Sequence, residues 1–224
     1  MSGVNSFPAQ EVVVRADGTG LPAFLTLPGK AVGLVVFVHG SGSSRFSSRN
    51  QYVAQVLNAG GLGTLLFDLL TPDEHAIDSV TAQLRFDIPL LGRRTAATVD
   101  WLASQAEIAD LPLGLFGAST GAAAALIAAA ERPGRVRAVV SRGGRPDLAM
   151  ADLPRVQAPT LLIVGGHDYP VIEMNQEAAR QLSAPKELAI VEGATHLFEE
   201  PGALEKAAEL ARDWFLRYLP SPEK

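Results

Sequence analysis

Leu113-Gly-Leu-Phe-Gly-Ala-Ser-Thr-Gly-Ala-Ala-Ala-Ala-Leu-Ile-Ala-Ala-Ala-Glu131 is the stretch on which the reading of the fold turns. Its first four residues are a short apolar run, and Thr120 to Glu131 is long and alanine-rich, so the stretch reads as a strand passing into a helix. Between them lies a G-x-S-x-G pentapeptide, Gly117-Ala118-Ser119-Thr120-Gly121. A strand that turns directly into a helix forces the central Ser119 into a strained backbone conformation, and only small neighbours at 117 and 121 leave room for it. The Ser119 hydroxyl then projects at the helix amino terminus, beside free N–H groups and the positive end of the helix dipole, where a developing negative oxygen is favoured.

Outward from this stretch the same alternation repeats. Gly33 to Val38, Leu62 to Phe67, Val136 to Val140, Thr160 to Val164 and Glu187 to Val191 are short, apolar, β-branched-rich runs, most of them bounded by Gly or Pro. Helical patterns run from Arg49 to Asn58, about Val80 to Ser104, Val171 to Leu182 and Ala203 to Tyr218. Runs apolar on both faces suit a parallel sheet covered by helices, so residues 1–224 are expected to form a single α/β doubly wound domain with a mostly parallel sheet. Glu11 to Arg15 and Ala23 to Leu27 have no crossover between them, and they read as an antiparallel hairpin at one edge. Only the 18 residues 141–158 separate two core strands, too few for an inserted cap domain.

Composition narrows the chemistry. The chain has 224 residues, 47% of them hydrophobic, which is too apolar for intrinsic disorder. It contains no cysteine, so disulfides, thiolate zinc sites, iron–sulfur clusters and a thiol nucleophile are all excluded. A net charge of −5 argues against a nucleic-acid partner, which requires a basic footprint. Met1 to Gln10 lacks the basic and apolar regions of a signal peptide, and the longest apolar run, Ala122 to Ala130, stops at Glu131, so no membrane span and a cytoplasmic location are expected. No H-E-x-x-H or comparable ligand spacing occurs, so neither metal nor cofactor is expected. The loop His39-Gly-Ser-Gly42 lacks the third glycine of a dinucleotide fingerprint.

In doubly wound sheets ligands bind outside the carboxyl ends of the strands, and most of the polar candidates fall there. A serine hydroxyl needs a base, and the four histidines are His39, His75, His167 and His196. For a nucleophile on such a turn the chain order is nucleophile, acid, base, which removes His39 and His75. His167 sits beside the best acid, and His196 alone follows the last strand. Eight carboxylates lie between Ser119 and His196. Asp168 is favoured because it closes the loop directly after Val164, with Gly165 and Gly166 supplying the turn, and Asp147 is the alternative. The amides of Ser41, in the glycine loop after Val38, and of Thr120 are the expected oxyanion donors.

These residues resemble the α/β-hydrolase superfamily: HGSGSS, GASTG, GGHD and GATHLFEEPG occur in that family's order, and the resemblance runs from about Glu11 to Tyr218. Within it the Arg85-Phe-Asp-Ile-Pro-Leu-Leu stretch and the GATHLFEEPG ending are similar to the dienelactone hydrolase-like group. Members proper carry cysteine as nucleophile, so the resemblance here implies a serine variant with a Ser119–Asp168–His196 triad acting on small esters or lactones. A thioester, a peptide or a C–C bond would suit the same triad, and a non-catalytic ligand-binding scaffold is the rival from another class. Arg142 and Arg145 follow a strand on the active edge, where a guanidinium can grip a carboxylate, so either is a candidate for orienting an anionic substrate.

Overall fold

In the computed structural model, which describes residues 7–220, the apolar runs form β1 (Gln10–Ala16), β2 (Thr19–Thr26), β3 (Leu34–Val38), β4 (Gly63–Phe67), β5 (Leu113–Ala118), β6 (Val136–Arg142), β7 (Thr160–Gly165) and β8 (Lys186–Val191). They join in one sheet in the order β1-β2-β4-β3-β5-β6-β7-β8. From β4 to β8 every pairing is parallel, whereas β1 pairs with β2 and β2 with β4 in antiparallel fashion. The edge hairpin closes on Asp17-Gly18, both with positive φ (51° and 72°), the two-residue turn whose twist matches the flanking strands.

The helices are α1 (Ser48–Ala59), α2 (Pro72–Thr81), α3 (Ile88–Ala103), α4 (Gly121–Glu131), α5 (Tyr169–Gln181) and α6 (Ala203–Tyr218). Strand β3 shows why both faces need cover. Leu34, Val36 and Val38 join one apolar cluster with residues of α3, α4 and α5, and Val35 and Phe37 join another with α1 and α6. Ala122 to Ala125 are buried, because alanine lets α4 lie close against the sheet and so sets Ser119 at the sheet's carboxyl edge.

One expected helix differs. The pattern from Val80 to Ser104 is broken at 82–87, and the residues before the break form α2. The Thr71 hydroxyl accepts the Glu74 amide at 3.2 Å while the Glu74 carboxylate accepts the Thr71 amide at 2.8 Å, a reciprocal cap with Pro72 in the first turn. Asp87 caps α3 by accepting the Leu90 amide at 3.0 Å. The connection from β6 to β7 holds only two short 3-10 turns, Pro146–Ala149 and Leu153–Arg155, with no inserted cap. Among the described residues no helix is long and apolar enough to cross a membrane.

Candidate active site

Ser119 has φ of +51°, the left-handed region that non-glycine residues seldom enter. The turn is tight on both sides. A Cβ on Gly117 would lie 2.4 Å from Ala122 Cα, and one on Gly121 would lie 2.2 Å from the Val38 carbonyl oxygen. Main-chain bonds brace it: the Ser119 amide donates to the Arg142 carbonyl at 3.2 Å, and the Arg145 amide donates to the Ser119 carbonyl at 3.0 Å. Ser119 and His196 line one cavity of about 230 Å³, shared with Gly40, Ser41, Arg49 and Arg142.

His196 Nδ1 lies 2.6 Å from Asp168 Oδ2, with the carboxylate mostly buried and the imidazole partly open to the cavity. Nδ1 facing a carboxylate carries the proton, which leaves Nε2 as the basic atom. Two loops must press together to make this pair, and Gly165 permits it: a Cβ there would lie 2.5 Å from the Ala194 carbonyl oxygen. Thr195, next to His196, is tied to Glu200 by its hydroxyl at 2.6 Å and its amide at 3.1 Å. Asp147 is elsewhere engaged, accepting Nε and Nη2 of Arg145 at 2.9 and 2.8 Å.

The glycine loop differs from expectation in one respect. Gly40 lies against the serine, since a Cβ there would sit 3.0 Å from Ser119 Cβ. The Ser41 amide, however, is not free: it donates to Thr120 Oγ1 at 2.9 Å. Thr120 itself is the amino-terminal cap residue of α4, where first-turn amides lack helical acceptors.

His39, which chain order excludes as the base, bridges two strand ends. Its Nε2 lies 3.0 Å from the Leu69 amide, which can only donate, so the ring proton is on Nδ1, 2.9 Å from the Gly40 carbonyl oxygen. Burial is the largest influence on this group and lowers its pKa below the usual 6.5, despite the opposing pull of the Gly40 carbonyl and Asp68. Because the folded value lies below the unfolded one, the stability the neutral ring confers is complete above pH 6.5 and is lost as pH falls from there through the folded value. The gap in urea midpoint between wild type and His39→Ala is therefore expected to narrow between pH 7.5 and 5, and a gap constant with pH would contradict it.

The two candidate arginines part company. Arg145 pairs with Asp147 and is absent from the cavity lining. Arg142 lines the cavity and is 7% exposed, with Nη2 donating to Asn50 Oδ1 at 3.3 Å and Nε without a partner. It lies 5.7 Å over the Phe198 ring, and Phe198 has φ of +56°. Burial, then the neighbouring Arg49, lowers the guanidinium to about 10, so it is cationic at neutral pH. Arg49 and Asn50 escape the sequence reading, because a helix carrying them gives no local sign of which turn faces a site on another strand.

Comparison with known proteins agrees with this geometry at the level of fold and family. A model of the dienelactone hydrolase family matches residues 23–220. The crystal structure of a dienelactone hydrolase from Anabaena variabilis is 56% identical, covering 95% of this chain and 99% of that one, with a TM-score of 0.94. Est1E from Butyrivibrio proteoclasticus shares the fold at 17% identity, covering 92% of this chain and 98% of that one, with a TM-score of 0.77. Relatives from two strains of Mycobacterium tuberculosis, each named "Putative phosphoribosyl transferase", are 55% identical over 213 residues, 95% of this chain. The chain spans 47% of their length, about half of each.

Proposed function

The chain belongs to the dienelactone hydrolase family, and from that premise we propose that it is a serine hydrolase that cleaves small carboxylic esters or lactones. The observation that carries this reading is the Asp168–His196 pair facing the same cavity as a serine held at φ +51°. In the proposed reaction His196 Nε2 removes the Ser119 hydroxyl proton as Oγ bonds to the ester carbonyl carbon. The tetrahedral oxyanion is met by the Thr120 amide and by the Ser41 amide, once the Thr120 hydroxyl rotates off the latter. His196 passes the proton to the departing alcohol as the C–O bond breaks, and water then hydrolyses the acyl-serine by the same exchange in reverse. Asp168 holds the imidazole in the tautomer this requires.

The phosphoribosyl transfer in the name of the Mycobacterium tuberculosis relatives is not carried over, because this chain matches about half of those proteins and the name belongs to the whole of each. Thioester, peptide and C–C cleavage remain outcomes of a substrate panel, since the leaving group is chosen by the cavity and not by the triad.

Arg142 is the proposed contact for an anionic group on the substrate. Arg142 has Asn50 as a neutral hydrogen-bond partner but no carboxylate partner among the described residues. Burying a charge costs several kcal/mol, and a substrate carboxylate would relieve part of that cost. Against an ester bearing a free carboxylate and its neutral methyl-ester analogue, Arg142→Ala is expected to raise KM for the first by roughly tenfold or more, the scale of a charged hydrogen bond, and to leave the second near wild type. Failure of the wild type to cleave either ester would contradict the proposed activity, and an equal rise on both would remove Arg142 from the role.

A further inference from the structure

Resting on the reading of Ser119 as the acylated residue, we propose that a second cavity, across the glycine loop from the triad, is the subsite for an uncharged apolar arm of the substrate. It has a volume of about 260 Å³ and shares Gly40, Ser41 and Ser43 with the cavity that holds Ser119 and His196. The backbone that would meet the oxyanion is thus the common wall of two compartments, and a substrate centred on Ser119 can extend into either.

The two compartments differ in chemistry. Around Ser119 the cavity holds Arg142, a buried cation without a carboxylate partner among the described residues. Beyond the loop, Leu69, Leu70, Pro72, Leu91 and Phe46 supply the apolar walls. The charged groups that reach this space are paired with one another: Arg45 with Asp68, and Arg85 Nε with Asp78 Oδ2 at 2.6 Å. Each pair is neutral as a unit, and of the two histidines at the lining His39 is buried with its pKa lowered by that burial, while His75 lies on the exposed side of α2. Such a space rewards apolar surface and offers no unpaired counter-charge to an anion.

The walls are also held in place. Asp78 accepts the Leu84 and Arg85 amides at 2.8 and 3.0 Å, which fixes the turn after α2. Arg94 donates to the Leu69 carbonyl at 2.7 Å and grips both Glu74 oxygens at 2.6 Å, tying α2 and the end of β4 to α3. A preformed cavity binds without first ordering its walls. For scale, an apolar cavity of about 150 Å³ accepts benzene, so an aromatic ring or a chain of several carbons suits this one.

The test is a pair of ester series, p-nitrophenyl acetate to hexanoate and ethyl to hexyl acetate, measured as kcat/KM. At least one series is expected to rise by roughly two- to fourfold per added methylene, the scale of burying a CH2 group. His75→Trp, which fills the mouth from an exposed helix position, is expected to lower the longest-to-shortest ratio of that series at least fivefold. Ile77→Trp lies on the same helix outside the lining and is expected to preserve the ratio. Wild type that cleaves acetate but is flat in both series, or a His75→Trp ratio equal to that of Ile77→Trp, overturns the subsite while leaving the serine reading intact. No cleavage of any ester and no adduct with a fluorophosphonate overturns both.

Discussion

Ser119→Ala is expected to lower kcat for ester hydrolysis by on the order of 10⁵- to 10⁶-fold, because a triad acts as a unit and loses nearly all of its effect with its nucleophile. The fold should survive, since Ser119 is only partly buried and alanine fits the same space. Strain at the turn adds a second expectation. At φ +51° a residue bearing a Cβ is disfavoured by roughly 1–2 kcal/mol relative to its usual conformations, a penalty glycine escapes. Ser119→Gly is therefore expected to be as inactive as Ser119→Ala but more stable by about 1 kcal/mol in urea unfolding. Equal midpoints for the two would show that the backbone carries no such strain, and retained turnover in either would move the nucleophile elsewhere.

Asp168→Asn is expected to lower kcat by on the order of 10³- to 10⁴-fold, because an amide can present its N–H₂ to Nδ1 and stabilise the wrong imidazole tautomer. Asp147→Asn serves as the comparison. That carboxylate binds Arg145 two residues away and makes no contact with His196, so kcat should stay near wild type. The reverse ranking would transfer the orienting role to Asp147. A rate measured at saturating substrate, with circular dichroism to verify folding, separates the two.

How far the sequence discloses such a site depends on whether its determinants are local. The turn at Ser119 can be read directly because glycines at 117 and 121 answer steric demands made by the adjacent backbone, and these demands leave a mark in five residues. Asp168 and His196 lie 28 residues apart, yet each follows an apolar run, and strand ends converge on one edge in any sheet of this type. The break between α2 and α3 is also local, but apolar periodicity overrides its signals: Thr71-Pro-Asp-Glu74 is a helix start, and Asp87-Ile-Pro89 is another.

Other features cannot be read in that way. Arg142 ends β6 and Arg145 follows three residues later, and nothing in their spacing says that one is buried beside the serine while the other turns to Asp147. A loop rich in glycine suggests a free amide at Ser41. Its bond to the Thr120 hydroxyl joins residues 79 apart in the chain and depends on how β3 and α4 are placed. Chain order removes His39 as a candidate base, and it is silent about a ring that links the glycine loop to the end of β4. Long-range side-chain bonds of this kind are set by packing and leave no periodic trace.

The central claim is that Ser119 is a nucleophile activated by His196, and intact-mass measurement after exposure to a fluorophosphonate tests it most directly. Wild type is expected to gain the mass of one phosphonyl group, and Ser119→Ala none under the same conditions. An unmodified wild type, or an adduct undiminished in Ser119→Ala, would contradict the assignment.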